Sequence, residues 1–261
     1  MKCLDINKIL FYANLSKIAY NNYVDLEMDK KYIEYIIINN HEAVVIEFEN
    51  EIVISIRGTE LMSISDWLTD IKLFSLNNIV KKNRCNKFYD KNIKIHNGFF
   101  EGGLELFNKI IKSKILNDNI NNKPVNLIGH SAGGAKARVI AYLFLKRKLF
   151  DFDINIITFG CPKVGNRNFN NILLFYCNVY HFTHKNDIVP NTPLFSYTHR
   201  NIIEYKLMND IIIKNPSITD KTVSYFKSLF NFRFLGVKNH FIDEYIKSLN
   251  KYKNNGINIF I

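Results

Sequence analysis

The chain contains no apolar run approaching the ~18 residues that a membrane span requires. Nor does it open like a secretion leader, because Asp5, Asn7 and Lys8 interrupt the first twenty residues, MKCLDINKILFYANLSKIAY. Ile9, Leu10, Ala13, Leu15, Ile18 and Ala19 fall there at helical spacing, which predicts an amphipathic helix of the mature protein and favours a cytoplasmic setting. Cysteine is scarce. Cys3, Cys85, Cys161 and Cys177 show neither metal nor redox spacing, so no zinc site and no disulfide framework is expected. Repeats and low-complexity linkers are also missing, and residues 1–261 are expected to form a single domain. Acidic residues are outnumbered, 24 against 35 basic ones, for a formal charge of +11. The basic side chains are nevertheless spread along the sequence, with short clusters only at 81–84 and 146–148. They read as solvated faces, and no nucleic-acid partner is expected.

What is present alternates between strand-like and helix-like segments. YIEYIIIN (32–39), AVVIEFEN (43–50) and EIVISIRGT (51–59) are rich in β-branched residues, and the short Asn50, Glu51 junction predicts an antiparallel hairpin. NIKIHNGFF (92–100) reads as a further strand and 101–116 as a helix. PVNLIGH (124–130) is a short apolar strand and 132–148 a helix, followed by strands at 154–160 and 178–190. A strand–helix–strand–helix–strand succession implies parallel strands joined by right-handed crossovers. The expected fold is α/β, with a mixed, largely parallel central sheet flanked by helices.

Within this frame lies NLIGHSAGGAKA (126–137), which carries Ser131 in the pattern G-x-S-x-G. By itself the pattern is a weak signal, since serines in glycine-rich turns are common. Its position at the end of a strand and the start of a helix strengthens it. A tight turn there strains the backbone of the nucleophile, and glycines two residues to either side leave room for it.

A serine hydroxyl becomes nucleophilic only when a base takes its proton, and an acid must orient that base. Asp187 suits the acid, because VYHFTHKNDIVPNTP runs from an apolar strand into a polar turn closed by Pro190 and Pro193. Asp151 and Asp153 sit between a helix and the start of a strand, at the other end of the sheet. Of the seven histidines, His41, His96 and His130 precede the serine, and His181 and His184 share the acid's strand. His199 and His240 remain. His199 lies in YTHRNIIEYKL, which alternates like a strand. His240 opens the last helix-like segment, NHFIDEYIKSL, and this position favours it as the base.

Taken together, SIRGTE, SDWLTDI, IHNGFF, LIGHSAGGA, TFGCPKVGN, NDIVPNTP and YTHRNIIEY resemble, in order and spacing, the class 3 lipases, the family of the fungal triacylglycerol lipases. The likeness runs from YANLSKIAY to HFIDEY. It implies an α/β-hydrolase fold and hydrolysis of lipid esters without metal or organic cofactor. Ser131 would be the nucleophile, Asp187 the acid and His240 the base, with His199 non-catalytic. The family commonly carries an aromatic three residues after the base, whereas here Tyr245 follows His240 by five. The resemblance further implies an oxyanion hole formed by Ala132 through its backbone N–H and by Thr59.

Ile64, Trp67, Leu68 and Ile71 repeat at i, i+3, i+4 and i+7, the stripe of an amphipathic helix at about 61–74. Such a stripe serves equally a core-facing helix and a lid. The family likeness implies the lid, with Trp67 suited to a lipid–water boundary. VSYFKSLFNFRFLG (223–236) adds Phe226, Phe230, Phe232 and Phe234, which fit core packing or lipid contact. The expected activity is that of an acylglycerol lipase meeting its substrate at a lipid–water interface, with transient contact to a membrane or lipid-droplet surface. A phospholipase A1 with the same triad and a catalytically silent lipid- or protein-binding relative are the alternatives.

Overall fold

A computed structural model describes residues 5–20, 31–58, 92–118, 123–148, 152–193, 197–199, 201–209, 211–217 and 238–256. Among the described residues, eight strands form one sheet whose spatial order follows the sequence. They are β1 (Tyr32–Ile38), β2 (His41–Glu47), β3 (Ile52–Ile56), β4 (Val125–His130), β5 (Ile154–Phe159), β6 (Asn178–His184), β7 (Glu204–Leu207) and β8 (Ile212–Lys214). β1, β2 and β3 pair antiparallel, β3 to β7 pair parallel, and β8 closes the far edge antiparallel. The mixed sheet with a parallel centre expected from the sequence is therefore present, and β3 and β4 are buried along their whole length.

Side chains alternate across the sheet and divide the interior into two cores. Ile52, Ile54, Val125, Leu127 and Ile156 point to one face, where they meet α2 (Asn97–Ile110), α3 (Ala132–Arg147) and α4 (Arg167–Tyr176). Val53, Ile128, Ile157, Phe159 and Phe182 point to the other, where they meet α1 (Ile6–Ile18) and α5 (Ile242–Asn254). Helices on both faces are what a buried parallel centre requires. Asp5 caps α1, accepting from Lys8 N at 2.8 Å, and Asn166 caps α4, accepting from Phe169 N at 3.1 Å. α3 is the central helix, with every residue from 132 to 144 buried. No described helix is long and apolar enough to cross a membrane.

The structure differs from the sequence reading in several segments. Residues 92–100 are not a strand: Ile95 makes a single bridge to Gly165, and α2 begins at Asn97. The Ile93, Ile95 alternation is real but too short to build a ladder, and Phe99 and Phe100 belong to the helix. β6 stops at His184, where Lys185 takes a positive φ of 43° and turns the chain toward a 3₁₀ turn at Val189–Asn191.

Candidate active site

β4 delivers Ser131 to the carboxyl end of the parallel sheet, where α/β folds place their sites. Its backbone has φ 58° and ψ −131°, a conformation that non-glycine residues rarely hold. Two contacts fix this strain. Ser131 N–H donates to Phe159 O at 2.9 Å, and Ser131 O accepts from Ala135 N at 3.3 Å. The flanking glycines allow the approach: a Cβ on Gly129 would lie 2.5 Å from the Gly133 carbonyl carbon, and one on Gly133 would lie 2.1 Å from Ile56 O. Ser131 occupies the N-cap position of α3, yet its hydroxyl does not cap the helix. It points elsewhere.

The hydroxyl lies 2.8 Å from His240 Nε2. His240 sits just before α5, and its Nδ1 lies 2.8 Å from Asp187 Oδ2 in the turn after β6. A carboxylate accepts only, so Nδ1 carries the ring hydrogen and Nε2 is the lone-pair nitrogen facing Ser131. All three residues are buried. Asp187 also accepts at Oδ1 from Val189 N–H at 2.9 Å and at Oδ2 from the Tyr245 hydroxyl at 2.7 Å. Burial and the adjacent Asp187 push the Tyr245 phenol well above its ordinary range, so it acts as a fixed donor.

Two more histidines hold the loop that carries His240. His130 Nε2 meets His240 O at 2.6 Å, and His184 Nδ1 meets Asn239 O at 3.0 Å. Both nitrogens donate, because carbonyls only accept. His130 Nδ1 then accepts from the Tyr20 hydroxyl at 2.9 Å, and His184 Nε2 from Ser248 Oγ at 3.0 Å. Burial holds the pKa of His130 well below the usual histidine range, with the neighbouring His240 adding to the effect. Burial likewise lowers that of His184. The His130 and His240 rings lie 4.6 Å apart.

Ala132 is the first residue of α3, so its N–H has no intrahelical acceptor and stands at the positive end of the helix dipole. A negative oxygen beside Ser131 would be stabilised there. Thr59, the other expected oxyanion donor, lies outside the described residues, as do Ile64, Trp67, Leu68 and Ile71 of the expected lid and the phenylalanines of 223–236. His199 is not on a strand; it precedes β7. Tyr245, Tyr20 and His184 were not singled out from the sequence as site residues. The signal for Tyr245 is its place in the first turn of the helix-like segment that follows His240.

Strand order, crossovers and elbow together define an α/β-hydrolase fold. Residues 53–197, over half of the chain, match the family described as Lipase (class 3), and the chain belongs to that family. Among curated proteins, it is 32% identical over 154 residues to secreted mono- and diacylglycerol lipase 1 of Fusarium solani, covering 57% of this chain and 42% of that one. It is 31% identical over 123 residues to the secreted mono- and diacylglycerol lipase MDL2 of Malassezia globosa, covering 47% and 39%. The chain thus aligns with less than half the length of these relatives. A solved triacylglycerol lipase whose catalytic centre is a serine protease triad superposes with a TM-score of 0.70 at 23% identity, covering 90% of this chain and 92% of that one.

Proposed function

We propose that the chain is a serine carboxylic ester hydrolase acting on acylglycerols. The observation that carries this reading is the buried hydrogen-bonded series Ser131–His240–Asp187, each step 2.8 Å long, with its ring tautomer fixed. The names of the Fusarium and Malassezia relatives support the substrate class.

In this mechanism Ser131 Oγ attacks the ester carbonyl while His240 Nε2 takes its proton. The carbonyl oxygen becomes an oxyanion held by Ala132 N–H, with Thr59 as the second donor. Asp187 stabilises the imidazolium, and His240 returns the proton to the departing alcohol. Water then attacks the acyl-serine by the same route and releases the fatty acid. Substrate reaches the site from a lipid–water interface, with transient contact to a lipid surface.

The test compares the full chain with Ser131→Ala on p-nitrophenyl butyrate, diolein, triolein and phosphatidylcholine. Expected is acylglycerol hydrolysis and fluorophosphonate labelling by the wild type, and loss of both in Ser131→Ala with an unchanged circular dichroism spectrum. Near-wild-type turnover by the variant refutes Ser131 as nucleophile. Preferential release from phosphatidylcholine replaces the acylglycerol reading with a phospholipase A1.

A further inference from the structure

Behind the catalytic turn, on the face of the sheet covered by α2, α3 and α4, lies a second polar cluster that the steps above do not use. Arg138 of α3 is fully buried, and among the described residues no carboxylate pairs with it. Its Nη1 lies 3.0 Å from His199 Nδ1 and its Nη2 3.3 Å from Thr158 Oγ1. A guanidinium can only donate, so His199 Nδ1 must be the lone-pair nitrogen. The ring hydrogen is then at Nε2, which donates to Cys161 O at 3.1 Å. His181 stacks on His199 at 4.3 Å and is tied through Nδ1 to Thr158 Oγ1 at 3.1 Å.

The carbonyl that His199 holds belongs to the residue after Gly160. Gly160 has φ +59°, and a Cβ placed on it would lie 2.9 Å from Asp187 Oδ2 and 3.0 Å from His240 Nδ1. The backbone of this turn is therefore the floor against which the acid and base rest. A buried cation without a carboxylate is costly, and an apolar side chain would fill the same space. What Arg138 supplies, and a methionine cannot, is donor polarity toward His199.

We propose that Arg138 is a positioning residue of the active site. It locks His199 as the Nε2–H tautomer, and His199 in turn holds the turn at Gly160 and Cys161 against Asp187 and His240. The effect on catalysis rests on the hydrolase reading above; the effect on His199 does not. Among the described residues, His199 meets the Arg138 guanidinium of α3, the backbone carbonyl of Cys161 in the turn after β5 and the stacked ring of His181 from β6. Glu204 of β7 is the register partner of His181.

The test uses the full chain, with long-range ¹H–¹⁵N spectra of the histidines and kinetics on p-nitrophenyl butyrate. In the wild type His199 is expected as the neutral Nε2–H tautomer; in Arg138→Met only the Cys161 carbonyl still favours that tautomer, so a detectable Nδ1–H population and protonation at higher pH are expected. The same variant should lose about 10- to 100-fold in kcat with KM nearly unchanged, the scale of a small misplacement of reacting groups. His199→Phe should lose as much. His199→Gln, whose carboxamide can both accept from Arg138 and donate to Cys161 O, should stay within a few-fold of wild type. A folded Arg138→Met with wild-type kcat and an unchanged His199 tautomer overturns the proposal. Should that variant not fold, wild-type kcat in His199→Phe overturns it equally. Inactivity of the wild type on every ester defeats the hydrolase reading and with it the catalytic effect, while the spectra still decide the tautomer lock.

Discussion

Replacing Tyr245 with phenylalanine isolates one hydrogen bond to Asp187, the proposed catalytic acid. The hydroxyl donates to Asp187 Oδ2 at 2.7 Å, both groups are buried, and the ring keeps its contacts with Phe159 and His184. Because the ring remains, no cavity adds to the loss. A hydrogen bond to a buried charge contributes about 1.5–3 kcal/mol, which for a chain of this size lowers Tm by about 3–10 °C. Activity should suffer less. Asp187 keeps its donors Val189 N–H and His240 Nδ1–H, so kcat/KM should fall by no more than about 10-fold, against the about 10⁴-fold expected of Asp187→Asn. Differential scanning calorimetry and initial rates on p-nitrophenyl butyrate measure both effects. A wild-type Tm, or a loss of kcat/KM as large as that of Asp187→Asn, refutes the role assigned to Tyr245.

The close approach at the elbow predicts that Gly133→Ala is severely destabilised, since its Cβ would meet the backbone oxygen of Ile56 at 2.1 Å. The excess over the about 1–3 kcal/mol of ordinary overpacking should show as loss of soluble protein or a Tm drop larger than that of Tyr245→Phe. The buried histidines predict a loss of stability in acid. His130 and His184 have folded-state pKa values below the ordinary 6.5, so below that pH the unfolded chain binds protons that the folded chain refuses. Stability then falls as pH decreases from about 6.5 toward the depressed values, by up to about 1.4 kcal/mol per pH unit for each histidine. Denaturant titrations at several pH values check this; a flat stability between about pH 6.5 and 5 counts against neutral His130 and His184, and His184→Phe should show a shallower slope.

Much of the architecture is legible in the sequence because the parallel centre demands continuous apolar strands, and VNLIGH, INIITF and NVYHFTH supply them. The N-terminal helix is equally legible, with Ile9, Leu10, Ala13 and Leu15 buried as their spacing predicts. Local pattern fails where a tertiary contact decides. The alternation of Ile93 and Ile95 suggests a strand, but one bridge to Gly165 satisfies it and the chain turns into α2. At the site, Ser131, Asp187 and His240 can be picked out by order along the chain, and the structure brings them within hydrogen-bonding distance. Tyr245 could not be assigned in the same way, because reaching Asp187 depends on how α5 packs beneath β6. Arg138 is less legible still. In sequence it is a charged residue in an alanine-rich helix, and only the fold shows that it is buried against His199.

The histidines around the site differ in what their second nitrogen faces, and this difference supports the proposal of His240 as the base. His130 donates to a carbonyl and accepts from Tyr20, His184 donates to a carbonyl and accepts from Ser248, and His199 donates to a carbonyl and accepts from Arg138. Protonating any of the three would turn an accepting nitrogen into a donor inside a buried, prearranged network. In His199 it would also set two cations together. His240 is arranged differently. Its donating nitrogen faces a carboxylate, which in the proposed mechanism stabilises the imidazolium once formed, and its accepting nitrogen faces the hydroxyl whose proton that mechanism removes. Of these four imidazoles, it alone gains a favourable partner by becoming charged. The other three histidines fix the loops at Asn239, His240 and Cys161, and these loops hold the proposed base, His240, at Ser131.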